Sequence, residues 1–187
     1  ELVNEVANEC FMPLTFGGGI KTIDDISNLL KAGADKVCIN SEATINLEFV
    51  KKACKIFGSQ CIVISIDYKI DQNKERIIYS NSGKKKTSLI FKDYIKEIED
   101  SGAGEIILTS IDRDGTMKGY DCETISYASK LTNLPMIASG GAGDLNNIIE
   151  LINCSEISGL AASSIYHFTN KTPLDIKKFL FSKKIPV

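Results

Sequence analysis

Short runs of β-branched and apolar residues alternate with stretches of helical period along the whole chain. The runs that read as strands are Met12–Phe16, Lys36–Asn40, Cys61–Ile66, Glu105–Ser110, Pro135–Ser139 and Ile157–Ala162. Most are nearly continuously apolar, as parallel strands covered on both faces are. Helical patterns fall at residues 22–32, 44–57, 90–101, 121–131, 144–153 and 173–183. The first of these is bounded by its own chemistry. Thr22 is placed to cap it, Asp24 and Asp25 sit in its first turn, and Gly33 lies just past its end. Strict alternation of strand and helix predicts a parallel α/β fold.

An internal echo narrows the choice among such folds. At an offset of 122 residues, Pro13-Leu-Thr-Phe-Gly-Gly-Gly19 lies over Pro135-Met-Ile-Ala-Ser-Gly-Gly141, and Val37-Cys-Ile-Asn-Ser41 lies over Gly159-Leu-Ala-Ala-Ser163. Each copy is a strand, a glycine turn, a helix and a second strand ending in a small hydroxyl residue. The offset holds about four βα units of ~30 residues, half of a (βα)8 TIM barrel. A doubly wound sheet gives no reason for the echo, so the barrel is the expected fold, as a single domain over residues 1–187. Only six units are counted here, equivalent to strands 3–8 of a barrel. The first residue is Glu1, and residues 1–10 (ELVNEVANEC) already read as an uncapped amphipathic helix with Leu2, Val3, Val6 and Ala7 at helical spacing. If each half holds four units, the missing two belong before Glu1, either as a segment outside this sequence or as one lost by truncation, and without them the strands at 12–16 and 157–162 would be open apolar edges.

Charge and cysteine usage remove several function classes. With 22 Lys+Arg against 24 Asp+Glu the formal net charge is −2, which leaves no electrostatic case for nucleic acid or an anionic membrane. No apolar run approaches the ~18 residues of a membrane span and no signal segment opens the chain, so a cytoplasmic location is expected. Cys10, Cys38, Cys54, Cys61, Cys122 and Cys154 form no CxxC pair, and His167 is the one histidine. That scatter is unlike a zinc site or a disulfide framework, and buried, reduced thiols are expected, with no metal and no cofactor.

Barrel chemistry gathers at the C-terminal ends of the strands. Those ends carry Gly17-Gly18-Gly19, Asn40-Ser41, Asp67, Thr109 with Asp112 to Gly115, Ser139-Gly140-Gly141 and Ala162-Ser163. Backbone N–H groups at a glycine turn, backed by a helix N-terminus, make an anion site. The repeat supplies two such pockets, which suits a ligand with a phosphate at each end. Asp67 closes the apolar run Cys61–Ile66, where burial tunes a carboxylate for acid–base work; a turn or helix-cap role fits the residue alone equally well. Asp112 and Asp114 lie in SIDRDGT, where turn and capping roles are common, and His167 in IYHF reads as packed or capping. The connection from Asp67 to Thr87 is long and reads as a β-hairpin over the mouth, with Lys84-Lys85-Lys86 either holding phosphate or forming a solvated charge run.

The motifs PLTFGGGI, GADKVCINS, FGSQCIVISID, SGKKKT, GAGEIILTSIDRDGT, GYD, IASGGAG, LAAS and the closing IPV occur in one order over essentially the whole chain. In this the sequence resembles the cyclase subunits of imidazole glycerol phosphate synthase, the HisF family. The resemblance implies a (βα)8 barrel that receives ammonia from a HisH-type glutaminase partner in a heterodimer. It implies use of that ammonia to cleave and cyclise a bis-phosphorylated formimino-aminocarboxamide ribotide, giving imidazole glycerol phosphate and aminoimidazole carboxamide ribotide in histidine biosynthesis. By the same resemblance Asp67 is one of two catalytic aspartates. Gly19, Asn40 and Ser41 match one phosphate site, and Asp114, Gly115, Gly141, Ala162 and Ser163 match the other. Thr109 and Ser139 match substrate-contacting strand ends, and 82–87 a mobile loop. Lys36 and Glu105 match two residues of a four-residue ammonia gate, and Asp35 a contact to the glutaminase.

The departures carry their own expectations. The family's other catalytic aspartate and the remaining gate residues lie in the segment expected before Glu1, so the 187 residues alone are expected to be inactive. Thr87-Ser88 replaces the usual Thr-Gly, and an extra residue after LAAS lets Ser164 compete with Ser163 for phosphate. SIDRDGTMKGYD resembles HisF-like proteins that deliver ammonia to a sugar nucleotide in surface-glycan pathways, whereas ADKVCINS, YHF and IPV favour the histidine branch. A non-catalytic barrel fragment that binds a partner or completes itself by oligomerising is the remaining alternative.

Overall fold

In the four central parallel strands every second residue is almost wholly buried, which divides each strand into two rows. Val37 and Ile39, Ile62, Ile64, Ile66 and Tyr68, then Ile106 and Leu108, and Met136 with Ala138, are almost wholly buried in one continuous core. The residues between them point to the opposite, inner face, as the two-residue period of a strand requires. Helices with apolar stripes cover the first row, and each buried Ile or Leu contributes about 1.5–3 kcal/mol.

The computed structural model describes residues 2–186. In chain order the elements are α1 (Leu2–Glu9), β1 (Thr15–Gly17), α2 (Ile23–Lys31), β2 (Lys36–Ile39), α3 (Leu47–Phe57), β3 (Ile62–Ile70), β4 (Arg76–Ser80), β5 (Lys85–Ile90), α4 (Phe91–Asp100), β6 (Glu105–Ser110), α5 (Cys122–Ser129), β7 (Met136–Ser139), α6 (Leu145–Cys154), β8 (Gly159–Ala161), α7 (Ser164–Phe168) and α8 (Pro173–Ser182). The main sheet runs β1-β2-β3-β6-β7-β8, every neighbour parallel. With a helix after each strand this is the α/β architecture of a TIM barrel, present as six of its units. The path ends on β1 and β8, and among the described residues neither pairs on its outer side. The helix expected at residues 1–10 is found as α1, with Glu1 outside the described residues.

The internal repeat is carried into detail. Adding 122 to the capping box of α2, in which Thr22 and Asp25 bond each other's backbone, gives the capping box of α6, made by Asp144 and Asn147. Gly18 and Gly19 have φ of 108° and 70°, and their counterparts Gly140 and Gly141 have 95° and 109°.

Three strands differ from expectation by two residues or more at a limit. The first strand begins at Thr15 rather than Met12, because Pro13 has no N–H and the Leu14 N–H is taken by the Asp35 carboxylate at 2.7 Å. The last contracts from 157–162 to Gly159–Ala161. The third runs past Ile66 to Ile70, because β4 pairs antiparallel with residues 67–70 of β3, beyond the end of its pairing with β2. The expected hairpin is thus β4 and β5, built onto the extended end of β3.

At the N-terminal ends of β2 and β6, the Lys36 ammonium and the Glu105 carboxylate form an ion pair, with Glu105 only 9% exposed. Lys36→Met would leave that carboxylate buried without its cation. Allowing for the partial exposure of Lys36, the expected loss is about 2 kcal/mol of unfolding free energy by urea titration. Glu105→Gln, which strands only the more accessible lysine, is expected to cost less.

Candidate active site

The inner face opens at the C-terminal ends of the strands into a cavity of about 600 Å³. Its floor is Cys38, Asn40, Ser65 and Asp67, one wall is the turn Gly17–Gly19 with Lys21, and the other is the hairpin tip, Ser80–Ser82 with Lys85. The tip is a run of left-handed residues, Asn81, Ser82 and Gly83 at φ of 52°, 56° and 75°. It is tied to the strand ends by the Asn81 N–H donating to Ser41 Oγ at 3.0 Å. Below it, Asn40 Nδ2 donates to the Ser65 carbonyl at 3.2 Å, where the β2–β3 ladder has ended.

A second cavity, about 130 Å³, is lined by Asp114, Ser139–Ala142 and Ala161–Ser164. The loop after β6 is held over it by the Asp114 N–H donating to the Ser110 carbonyl at 2.9 Å and by the Gly119 N–H donating to Gly141 at 2.8 Å. Both Ser163 and Ser164 line this cavity, Ser163 the more exposed.

Strand register joins the two cavities. Asp67 of β3 pairs with Thr109 of β6, Thr109 with Ser139 of β7, and Ser139 with Ala161 of β8. The row begins in the larger cavity and ends in the smaller, about 14 Å away at the usual strand spacing of about 4.8 Å.

Asp67 is half-buried, and burial pushes its carboxyl above the ordinary aspartate range. Ser65 Oγ, donating to Asp67 Oδ1 at 2.9 Å, opposes this, and the nearby Asp114 charge adds to the rise. Burial likewise raises the Cys38 thiol to about 11, so this cavity-lining cysteine is held protonated.

The expected residues separate into clear groups. Gly19, Asn40, Ser41 and Asp67 meet in the larger cavity; Asp114, Ser139, Gly141, Ala162 and Ser163 meet in the smaller. Thr109 lines neither and bridges them in the register row. Gly115, at φ 74°, lies in the exposed turn beyond Asp114 and lines neither cavity. Lys36 and Glu105 open β2 and β6 at the opposite end, and Asp35 immediately precedes β2. Asp67 is an interior residue of β3 rather than its last, since the strand continues into the hairpin. Asp112 is structural, accepting from the Ile70 N–H at 2.9 Å. His167 is not packed: it is exposed in the last turn of α7.

The cysteines also differ in part from expectation. All six are free thiols, but only Cys54 is buried. Among the described residues no group of three His, Cys, Asp or Glu side chains is placed to hold a metal ion, and no helix is long and apolar enough to cross a membrane.

Sequence reasoning did not single out Ser65, Lys21 or the Ser80–Asn81 corner. Ser65 was visible as a polar interruption two residues before Asp67 in an apolar strand, which places both on one face.

The profile of the family described as "Histidine biosynthesis protein" matches residues 1–172. The imidazole glycerol phosphate synthase subunit HisF of Dictyoglomus thermophilum is 48% identical over 185 residues, covering 99% of this chain and 73% of that protein. HisF of Natranaerobius thermophilus is 43% identical and HisF of Streptococcus mutans 39%, each over 187 residues, the whole of this chain and 74% of the relative. By profile and by identity over its full length, the chain belongs to the histidine biosynthesis protein family, in its HisF group.

Proposed function

We propose that the chain is the cyclase subunit of an imidazole glycerol phosphate synthase and that residues 1–187 act within one barrel domain. The substrate is a bis-phosphorylated formimino-aminocarboxamide ribotide. Ammonia condenses with it, and cleavage and cyclisation give imidazole glycerol phosphate and aminoimidazole carboxamide ribotide, the carbonyl oxygen leaving as water. The observation that carries this reading is the register row from Asp67 through Thr109 and Ser139 to Ala161, with a glycine-turn cavity at each end. A phosphate at the ends of β1 and β2 and another at the ends of β7 and β8 lay the ligand across the sheet, so that Asp67 of β3 stands between the two. Gly19, Asn40 and Ser41 take one phosphate, with Lys21 and Lys85 supplying positive charge. Gly141, Ala162 and Ser163 take the other, with Asp114 and Gly115 in the loop above. Burial raises the proton affinity of Asp67, the direction that suits a group required both to take and to give a proton.

The glutaminase docks at the opposite end of the strands. Asp35 contacts it there, and the Lys36–Glu105 pair stands at the ammonia entrance. The position of that pair on the inner face, on the far side from Asp67, supports this assignment.

Turnover of the ribotide with an ammonium salt in place of the partner tests the proposal, in the protein as expressed from its gene. Formation of both products in equal amounts is the expected result. Amination of a sugar nucleotide with no turnover of the ribotide would assign the chain to the glycan branch, and no turnover of either would leave a non-catalytic barrel. Ser41→Ala is expected to raise KM by about tenfold or more with kcat little changed, the cost of one hydrogen bond to a charged phosphate. Steady-state kinetics at fixed ionic strength checks it.

A further inference from the structure

On the inner face of β3, Val63, Ser65 and Asp67 succeed one another toward the mouth. Ser65 is the one polar residue below Asp67, and its hydroxyl proton goes to Asp67 Oδ1 at 2.9 Å. Among the described residues this is the only hydrogen bond that hydroxyl donates, and Asp67 Oδ2 has no protein donor. The two carboxylate oxygens are therefore unequal: one is held against the strand and the other faces the cavity. Ser65 is itself held from the neighbouring strand, since Asn40 Nδ2 donates to its carbonyl at 3.2 Å. The Ser41 hydroxyl leans on Asn40 Oδ1 at 3.4 Å, and the hairpin tip leans on Ser41 through the Asn81 N–H at 3.0 Å.

We infer that Ser65 is a positioning residue: its hydroxyl selects the rotamer of Asp67, keeps Oδ2 free for the ligand, and stabilises the ionised carboxylate against the burial around it. A serine suits the place because a residue two positions along a strand shares the face, and its short hydroxyl reaches the adjacent carboxylate without leaving the strand. A charge-assisted hydrogen bond favours the ionised partner, so its removal moves the titration of Asp67 upward. That this carboxylate does the chemistry rests on the function proposed above; the hydrogen bond and its effect on titration do not.

The test is a carbon-13 NMR titration of the Asp67 carboxyl, assigned by its loss in Asp67→Asn. It compares the unaltered protein with Ser65→Ala and Ser65→Thr, each shown to be folded by its amide spectrum. The expected midpoint for Ser65→Ala is higher by about one pH unit, and Ser65→Thr, which keeps the hydroxyl, is expected to restore it to within a few tenths. If Ser65→Ala does not fold, Ser65→Cys, a weaker donor, is expected to shift the midpoint in the same direction by less. A midpoint unchanged in Ser65→Ala, or moved as far in Ser65→Thr, would overturn the assignment. The pH profile of turnover then separates the two claims. A limb moving in step with the NMR midpoint supports both, whereas a moved midpoint beside an unmoved limb keeps Ser65 as the positioning residue and removes Asp67 from the chemistry.

Discussion

Replacing Asp67 by asparagine is expected to lower ammonia-dependent turnover by about 10²–10⁴-fold while KM stays within a few-fold of its original value. The substitution preserves shape and keeps an oxygen for the Ser65 hydroxyl, so the strand, the register row and both phosphate cavities survive. What is lost is a group able to take and give a proton. The folded-state pKa of Asp67 lies above the ordinary aspartate value, so its contribution to stability is present below that ordinary value. It is lost as pH rises through the elevated one. At neutral pH the charged carboxylate is a cost to the fold, and the neutral amide removes it. Asp67→Asn is therefore expected to melt at the same temperature as the unaltered protein or slightly higher. Inactivity with undiminished stability is the signature; inactivity with a lowered melting temperature would point to damage instead. Separate kcat and KM values, taken alongside thermal melts, provide the check.

The second large effect divides two glycines that the repeat makes equivalent. Gly141→Ala is expected to cost about 3 kcal/mol or more, or to prevent folding, whereas Gly19→Ala is expected to cost about 1 kcal/mol. Both residues have positive φ, 109° and 70°, so both resist a side chain. Gly19 stands at the edge of the larger cavity, and a Cβ there would meet nothing within 4 Å. Gly141 is pressed against the loop over the smaller cavity, and a Cβ would fall 2.1 Å from the Gly119 carbonyl oxygen. The same two residues share the 2.8 Å hydrogen bond that holds this loop down, so the obstruction is rigid backbone and cannot rotate away. Urea unfolding of the two variants measures the difference. Equal costs would mean that conformation alone, not close approach, requires glycine at both sites.

That contrast also shows what the amino-acid sequence discloses and what it does not. The 122-residue echo was legible because it is written in local chemistry: a strand, a glycine turn, a helix and a second strand ending in a small hydroxyl residue. Helical patterns were read from residues 22 and 144, and the structure caps those two helices alike, with Thr22 and Asp144. The differing crowding of Gly19 and Gly141 depends on Gly119, far from either repeat core, and no local pattern reports it. The Lys36–Glu105 pair spans 69 residues and was reachable only through the family resemblance. The extension of β3 was missed for another reason. Alternation continues through Asp67-Tyr68-Lys69-Ile70, but the change of partner from β2 to β4 is a tertiary event, and the acidic residue resembled a strand end. The five residues of α7 are too few to establish a helical period. Asp67 itself was legible as a carboxylate leaving a buried strand. Its supporting serine was legible only once residues two apart were asked to cooperate.

The site is proposed as a clamp for a doubly phosphorylated ligand, with Asp67 of β3 between the two phosphates. The most direct measurement is a crystal structure of the protein, as expressed from its gene, with the bis-phosphorylated ribotide bound to Asp67→Asn to prevent turnover. One phosphate is expected at Gly19, Asn40 and Ser41, the other at Gly141 and Ser163, and the connecting atoms beside the residue-67 side chain, Thr109 and Ser139. A ligand held by one phosphate alone, or bound away from those residues, would contradict the clamp.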